Sequence, residues 1–191
     1  ATYTTLPNAS ESIKQRIPDL PSYIQYEWND GKSHIRLSNL LRFLSYRNLM
    51  EGKNKYVIGL ASQLSGMIAF SPSITFYYQA AYGHGYADYL NDLGGLGYDL
   101  IPDGDNGKLK APYALGIVGG LQYNLCKNFF VSASYSQCRL YDQASLSDSA
   151  YKYGQYVVAN AFYSPFNNCQ VGIEFLYGNR HNHDGESGNA H

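Results

Sequence analysis

The stretches YALGIVGGLQYNLCKNFFVSASYSQCRLY (residues 113–141) and YGQYVVANAFYSPFNNCQVGIEFLY (residues 153–177) decide the fold of this chain. Each has a tight turn near its middle, NLCKN in the first and SPFNN in the second, flanked by strand-like segments of roughly ten residues. Long strands rich in tyrosine, joined by turns that are alternately short and long, are typical of the wall of a transmembrane β-barrel. The two stretches therefore predict an antiparallel, all-β fold of this kind.

The final strand-like segment, residues 170–178, shows the period on which this prediction depends. Side chains of a β-strand point alternately to opposite faces of the sheet. One face is apolar and carries Val171, Ile173, Phe175 and Tyr177, whereas the other is mixed and carries Gln170, Gly172, Glu174 and Leu176. In a soluble sandwich the apolar row would face a core, whereas in a barrel it faces lipid and the mixed row lines the lumen.

The same alternation runs through earlier parts of the chain. It is clear in residues 22–28, 56–69, 74–82, 113–123 and 129–136. We therefore predict a single β-barrel portion of about eight strands in residues 22–178, after an irregular lead-in (1–21) and before a loop (179–191) that precedes a missing closing strand. About eight strands can just close a small barrel, but the many Gly, Ala and Ser residues of the inward rows would underfill it. This favours part of a wider, water-filled barrel.

Two segments are ambiguous by pattern alone. Residues 33–46 form a strand if Asn39 and Leu40 are accepted as breaks in the alternation, but their leucines also have the spacing of a helix. We favour the strand, because a DG hairpin signal precedes it and another strand follows. Residues 10–17 allow either a short helix or a surface loop.

Composition limits the classes of function. Charged residues make up 15% of the chain, against roughly 25% in soluble domains. The 20 tyrosines and 19 glycines suit the aromatic girdles and open lumen of a barrel, although abundant tyrosine also fits an antibody-like or lectin-like surface. Mean hydropathy is −0.35 and no run of about 18 apolar residues occurs, which excludes a transmembrane helix. The net charge of −1 gives no basic surface for nucleic acid.

The longest irregular stretch, residues 83–110, is rich in glycine and carries Asp88, Asp92, Asp99, Asp103 and Asp105. Such length inside a compact domain indicates a functional loop. Connections alternate between short ones, at Asp30, Ser71, Cys126 and Pro165, and longer ones, near Asn48, in 83–110, in 142–150 and after Gly178. Outer-membrane barrels have the same alternation of short periplasmic turns and long extracellular loops.

No arrangement of residues indicates an enzyme, a cofactor or a metal site. Asp103 and Asp105 lack a poised partner, and the DGDNG fragment around them lacks the distal glutamate of a calcium loop. The H-x-H pair of His181 and His183 lacks a third ligand. We therefore expect neither catalysis nor a bound cofactor.

The three cysteines, Cys126, Cys138 and Cys169, are an odd number without metal-ligand spacing. Cys126 and Cys169 fall at the tight turns of successive hairpins, which lie on the same rim of a barrel. A bridge between them is one alternative and free thiols are the other.

The closing run GIEFLYGNR, residues 172–180, continues through Asn182, Asp184-Gly185 and Gly188-Asn189-Ala190, and it resembles the C-terminal half of the DcaP-like porins. Supporting motifs are LLR at 40–42, YGHG at 82–85 and NAFY at 160–163. The resemblance covers residues 17–190.

This resemblance implies a trimeric channel in the outer membrane of Gram-negative bacteria, with a barrel of about sixteen strands and passive uptake of small, often anionic solutes. The implied partners are membrane lipid, small solutes and further copies of the chain in a homotrimer. The chain departs from the family pattern because it lacks the N-terminal half and the last strand with its terminal aromatic residue.

Inward-facing arginines are the candidate selectivity residues. Arg36 and Arg42 lie on the same face of one predicted strand, six residues and about 20 Å apart at the usual strand rise. Arginine or lysine in a pore selects anions, so both are candidates, with Arg180 at the rim as a third. The alternative is that the arginines are solvated, or form an internal salt-bridge network with Glu27 and Glu174.

Two other functions stay open from the sequence. A small closed outer-membrane barrel would bind a partner through its loops without conducting ions. A secreted, soluble β-sandwich would bind carbohydrate through tyrosine. Conductance in a bilayer separates the channel from the first alternative, and solubility without detergent would select the second.

Overall fold

A computed structural model describes residues 1–141 and 146–190. These residues form twelve strands and one short 3-10 helix, Ala87–Tyr89. The strands are β1 (Ser10–Ser12), β2 (Leu20–Trp28), β3 (Ser33–Asn48), β4 (Lys53–Ala69), β5 (Ile74–His84), β6 (Ile101–Pro102), β7 (Leu109–Lys110), β8 (Tyr113–Cys126), β9 (Phe129–Leu140), β10 (Tyr151–Phe166), β11 (Cys169–Asn182) and β12 (Ser187–Ala190). No helix among the described residues has the length and apolarity that crossing a membrane requires.

Ten of these strands form one antiparallel sheet in the order β1, β3, β4, β5, β8, β9, β10, β11, β12, with β2 paired to the other half of β3. The long strands, β2 to β5 and β8 to β11, match the number that the sequence predicts. Within the described residues β2 pairs only with β3, and β12 only with β11. The predicted antiparallel wall is therefore confirmed, and its strands do not close on themselves as a small barrel would.

The outer face of the sheet carries the predicted apolar rows. Ile24 is 78% exposed on β2, and Ile173 is 74% exposed on β11. Between them the outer rows include the exposed side chains of Leu37, Ile58, Leu64, Leu121, Val157 and Phe175. In the part of the chain that the structure describes, the other sheet has only the two short strands β6 and β7, so no second sheet packs on the apolar rows. A β-sandwich is therefore not the architecture of this chain.

The ambiguous segment 33–46 lies within strand β3, which confirms the strand interpretation. The alternation through it is unbroken. Asn39 lies on the outer face, where its side-chain oxygen accepts a hydrogen bond of 2.8 Å from the Ser62 hydroxyl. Leu40 lies on the inner face, where a buried apolar cluster packs against it. Asn39 looked like a break because it forms a polar pair with Ser62 on the outer face. Leu40 looked like a break because it is an apolar side chain on an inner face that other parts of the chain partly cover.

Two segments at the ends differ from the predicted lead-in and tail. Ser10–Ser12 forms no helix and pairs with the end of β3 as β1. Strand β11 continues to Asn182, and Ser187–Ala190 turns back to pair with it as β12, where the sequence predicts a loop. Residues 49–52 make a short connection where a longer one is predicted. Short strands of small and polar residues are held by backbone hydrogen bonds, so no apolar alternation marks them.

All three cysteines are free thiols. Cys126 ends β8 and Cys169 begins β11, and β9 and β10 lie between these strands. Three strand spacings of about 4.8 Å separate the two residues by roughly 14 Å, beyond the reach of a disulfide. The alternative of a bridge between these turns is therefore wrong.

Residues 85–112, which we call the inner loop, join β5 to β8 and fold back onto the inner face of the sheet. Two buried clusters form at this contact. The first joins Tyr86, Leu90 and Leu93 of the inner loop to Ala61, Ala81, Ala114 and Leu140 of the sheet, and the second joins Leu100 and Leu109 to Leu44 and Tyr46. The buried core of the chain therefore lies between one loop and the inner face.

Candidate functional site

Hydrogen bonds fix both ends of the inner loop to the sheet. The hydroxyl oxygen of Tyr86 lies 3.0 Å from the carbonyl oxygens of both Ala81 and Ala114, which share its one proton, and so ties the start of the loop to β5 and β8. The backbone N–H of Leu109 donates to the hydroxyl of Tyr46 over 3.1 Å. The loop is therefore held against the wall near both of its ends.

Two glycines permit this close approach. Gly85 has a φ of 67°, a conformation that other residues rarely adopt, and a Cβ there would lie 3.0 Å from Cδ1 of Leu44. Gly116 on β8 leaves room for Leu90, since a Cβ on Gly116 would lie 2.6 Å from Cδ2 of Leu90. The inner loop reaches the sheet because these positions carry no side chain.

Arg42 on β3 joins the wall, the lead-in and the inner loop. The residue is 2% exposed, and its Nη1 lies 2.8 Å from Oδ2 of Asp99 and donates to the carbonyl oxygen of Gly85 over 2.7 Å. Its Nε donates to Oδ2 of Asp19 over 3.0 Å. The ring of Tyr89 lies 5.1 Å from the guanidinium carbon, and its hydroxyl donates to Asp19 over 2.8 Å. We call Arg42, Asp19 and Asp99 the Arg42 clamp.

Asp99 is fully buried within the Arg42 clamp. Burial raises the pKa of its carboxyl to about 6, although Arg42 favours the charged form. The backbone N–H of Asp88 donates to Oδ1 of Asp99 over 3.1 Å, whereas Oδ2 is at ion-pair distance from Arg42 without an aligned hydrogen bond. Asp99 therefore holds a proton more tightly than an exposed aspartate does, although it lies beside Arg42.

The neighbouring carboxylate, Asp88, has the opposite shift. Burial acts to raise the pKa of Asp88, but hydrogen bonds from the Thr2 hydroxyl and from the backbone N–H of Gly95 outweigh this effect and lower the pKa. Asp88 is therefore ionised throughout the range in which Asp99 titrates.

The structure places Arg42 in a different environment from the open lumen that the sequence suggests. Two carboxylates neutralise its charge, and these belong to Asp19 and Asp99, not to Glu27 and Glu174. A buried, paired guanidinium presents no free charge to a passing solute. The geometry makes Arg42 an anchor of the inner loop.

Arg36, on the same face of β3, has no ion pair with any carboxylate of the described residues. Its Nε donates to the side-chain oxygen of Gln25 over 2.6 Å, and the Gln25 amide in turn donates to Glu27. The guanidinium carbon lies 4.7 Å from the ring centroid of Tyr23. Neutral groups therefore orient Arg36 on the inner face and leave its charge unpaired.

The remaining predicted residues lie near the two edges of the sheet. Glu27 and Glu174 are both exposed, on β2 and β11 respectively. The guanidinium carbon of Arg180 lies 5.3 Å from the ring centroid of Tyr151, and its Nε donates to Asn182 over 3.0 Å. Among the described residues no ion pair joins either glutamate to an arginine, so the alternative of a salt-bridge network with Glu27 and Glu174 does not hold there.

Two recesses open on the inner face, one on each side of Leu90. The first has a volume of about 220 Å³ and is mainly apolar, lined by Tyr23, Leu40, Ala61, Tyr86 and Tyr89 among others. The second has a volume of about 170 Å³ and is more polar, with Gln79, Asn91, Asp92, Ser136 and Tyr156 in its lining. The inner loop thus narrows the space in front of the wall without filling it.

Sequence reasoning did not find Asp19, Asp99 or Leu90 as parts of the site. Asp99 was one of five aspartates in a long irregular stretch, and Asp19 lies in the lead-in. Their pairing with Arg42 depends on the inner loop turning back over the sheet, which no local pattern specifies. Leu40 was the one sign in the sequence of this contact, because an apolar side chain in an inward-facing row indicates that another part of the chain packs over it.

Within residues 1–141 and 146–190, no three His, Cys, Asp or Glu side chains lie close enough together to hold a metal ion. His181 stacks on Tyr153 with ring centroids 4.5 Å apart. Asp103 lies 3.9 Å from the Lys110 ammonium.

The sheet and the inner loop together define the class of fold. A single antiparallel sheet with exposed apolar rows on one face and a loop folded onto the other is part of the wall of a membrane β-barrel. The chain is similar in structure to the outer membrane channel DcaP of Acinetobacter baumannii, with a TM-score of 0.78 and 20% sequence identity over 99% of this chain and 52% of that chain. The fold expected from the resemblance to the DcaP-like porins is thereby confirmed.

The chain spans about half the length of the channel that it matches. No protein-family model and no curated protein matches the sequence. At 20% identity the similarity concerns the fold.

Proposed function

We propose that this chain forms part of the wall of a porin, through which small solutes diffuse passively across the bacterial outer membrane. One observation carries the proposal: the exposed apolar rows lie on one face of the sheet and the inner loop lies on the other. Apolar rows on long, tilted strands suit contact with acyl chains, and a polar face narrowed by a loop suits a water-filled bore.

The open edges support a larger barrel than these strands can make. Each unpaired backbone N–H or C=O in hydrocarbon costs several kcal/mol, so a wall that stands in a bilayer needs further strands at both edges. These further strands would pair with the free sides of β2 and β12. With about sixteen strands in total, the bore is wide enough for water and for an inward-folded loop.

The inner loop limits the size of the solutes. Because Tyr86, Leu109 and the Arg42 clamp fix it to the wall, the packed loop occupies part of the bore volume. We therefore propose small solutes as the cargo.

Arg36 supports a preference for anions. Its guanidinium lies on the inner face, is oriented by Gln25 and Tyr23, and has no carboxylate partner in the described residues. An unpaired cation on the wall of a water-filled bore raises the local concentration of anions. The homotrimer and the Gram-negative outer membrane are parts of the proposal that the resemblance to the DcaP-like porins supports.

The test is reconstitution of the purified protein in a planar lipid bilayer. Stepwise increases in current on insertion would support a channel, and swelling of loaded liposomes with neutral sugars of increasing size would give its size limit. Membrane insertion without current would contradict the proposal and favour a barrel that binds a partner through its loops.

A further inference from the structure

A row of tyrosines and basic side chains follows the end of the outer face that is nearest the inner loop. We call it the outer belt; it consists of Tyr82, Tyr113, Arg139, Tyr141, Tyr153 and His181. The rings of Tyr82 and Tyr113 stack at 5.6 Å, and Tyr82 meets Tyr141 edge-on at 6.4 Å. The guanidinium carbon of Arg139 lies 5.1 Å from the ring centroid of Tyr141. Contacts therefore link Tyr82, Tyr113, Tyr141 and Arg139, and Tyr153 stacks on His181 with ring centroids 4.5 Å apart.

The register of the sheet places Arg139 on the outer face. It stands opposite Leu115 of β8 and Tyr153 of β10, and Tyr153 stands opposite His181 of β11. Two residues along β9 lies Gln137, and two further lies Tyr135, which belongs to the exposed apolar rows. Arg139 is thus about 13 Å along the strand from the last apolar position of β9.

Between the outer belt and the apolar rows lies a row of amides. Gln137 of β9 pairs in register with Gln155 of β10, which pairs with Asn179 of β11. Gln155 donates to the Tyr135 hydroxyl and Asn179 donates to Asn189, but the remaining hydrogen-bonding groups of these amides would be unsatisfied among acyl chains. The apolar contact therefore ends at Tyr135 on β9, at Val157 on β10 and at Tyr177 on β11. The amide row and the outer belt lie beyond these residues, at headgroup depth.

Arg139 lacks the carboxylate partners that Arg42 and Arg47 have. Arg42 is bound by two carboxylates, and Arg47 lies 3.9 Å from Glu11. In residues 1–141 and 146–190 no carboxylate forms an ion pair with Arg139, and its guanidinium lies over the Tyr141 ring. A guanidinium that faces outward at headgroup depth, without an acid of its own, is complementary to an anionic headgroup.

We propose that the outer belt binds the phosphorylated sugar headgroup of a glycolipid in the surrounding leaflet, which rests on the outer-membrane location in the proposed function. The planar guanidinium of Arg139 contacts phosphate oxygens, for which its donor geometry is suited. Gln137 and Gln155 hydrogen-bond sugar hydroxyls, and the tyrosine rings lie against the sugar at the membrane interface. Basic side chains at this depth are known to attract anionic headgroups.

The test compares glycolipid retained by purified protein, measured by native mass spectrometry, for the wild type, Arg139→Gln and Lys127→Gln. Lys127 is the matched control, because it is exposed at the opposite rim of the wall, in the turn between β8 and β9. With lipopolysaccharide that carries its lipid phosphates, we expect Arg139→Gln to bind about tenfold more weakly, as for loss of a charge-assisted hydrogen bond. Lys127→Gln should bind as the wild type does.

Four results would overturn the proposal. The first is equal binding by Arg139→Gln and the wild type. The second is equal retention of dephosphorylated and phosphorylated glycolipid, and the third is displacement by millimolar inorganic phosphate, which would indicate a free anion as the ligand. A change in oligomer size with unchanged glycolipid binding would assign the outer belt to a second copy of the chain and would also overturn it.

Bilayer current separates this proposal from the proposed function. Phosphate-dependent retention without conductance would support the outer belt and contradict the channel. Conductance without phosphate-dependent retention would support the channel and contradict the outer belt. Far-UV circular dichroism of each variant shows whether Arg139→Gln still folds, and Arg139→Lys, which keeps the charge, should retain part of the binding.

Discussion

Nη1 of Arg42 lies 2.8 Å from Oδ2 of Asp99, and this contact ties strand β3 to the loop that folds over the inner face. Both groups are buried, and Asp19 supplies a second carboxylate from the lead-in. One guanidinium thus holds three separate parts of the chain together.

Removing this guanidinium should release the inner loop. Arg42→Gln leaves two carboxylates without their cation, and breaking a buried pair in this way costs about 3–5 kcal/mol. We expect a lower free energy of unfolding in urea, faster proteolysis within residues 85–112 and larger fluctuations of channel current.

The matched control for Arg42→Gln is Arg47→Gln. Arg47 lies on the same strand and 3.9 Å from Glu11, but both side chains are largely exposed. Exposed pairs contribute about 0–1 kcal/mol, so this variant should unfold nearly as the wild type does. Equal loss of stability in the two variants would show that Arg42 has no special part in holding the loop.

Acid should favour the closed inner loop. The pKa of Asp99 is raised to about 6 when the loop is packed, against 3.8 for an exposed aspartate, so the packed state binds the proton more tightly. Lowering the pH from 7 to 5 should therefore increase the ratio of packed to released loop about tenfold. Arg42, Asp19 and Asp88 are the charged groups that face Asp99. Asp88 has a lowered pKa, so its opposing effect falls below this pH range.

The measurement is the frequency of current fluctuations as a function of pH, in the wild type and in Asp99→Asn. The variant carries a neutral side chain at every pH and should behave as the wild type does in acid. A loop that opens on acidification, or an unchanged pH dependence in Asp99→Asn, would contradict the titration of Asp99.

Ion selectivity should depend on Arg36. Replacing its unpaired charge in Arg36→Gln should reduce the permeability ratio of anions to cations, and Arg36→Glu should shift it further towards cations. Reversal potentials in a salt gradient measure this ratio. Arg47→Gln removes a charge from the outer face of the same strand and should leave the permeability ratio unchanged. Identical reversal potentials for the Arg36 variants and the wild type would show that Arg36 does not determine the ion selectivity.

Gly116 should control how closely Leu90 packs. A side chain at Gly116 would start 2.6 Å from Cδ2 of Leu90, so Gly116→Leu must push the loop off the wall, at a cost of about 1–3 kcal/mol. We expect a changed unit conductance. The double variant Gly116→Leu, Leu90→Ala should recover part of the loss.

The control is Gly119→Ala on the same strand, where the nearest atom to the new Cβ is 3.9 Å away, on Phe76. This change should affect neither stability nor conductance. An unaltered conductance in Gly116→Leu, with the protein folded, would mean that the inner loop does not border the conducting path.

The wall could be predicted from the sequence because a period of two is a local property. The apolar rows on β11, β8 and β4 were evident from alternate residues, and even β3 followed the period once the polar pair at Asn39 was understood. Strand β12 was missed because residues 187–190 carry no apolar alternation and are held by backbone pairing to β11.

The site was less accessible to such reasoning. Arg36 and Arg42 have the same pattern around them, yet one is unpaired and the other is buried between two carboxylates. The difference arises from the inner loop, which covers the part of β3 that carries Arg42. A contact between a loop and a distant strand depends on the whole fold, and local spacing therefore could not distinguish the two arginines.

The most direct test of the account labels residues 171 to 177 one at a time with a nitroxide, after replacement of the native cysteines, in the membrane-inserted protein. Collision with oxygen reports contact with acyl chains, and collision with a water-soluble nickel complex reports contact with water. We predict oxygen maxima at Val171, Ile173, Phe175 and Tyr177, with nickel maxima at Gly172, Glu174 and Leu176. Equal access of the nickel complex to every position, without a period of two, would contradict a wall that separates lipid from an aqueous bore.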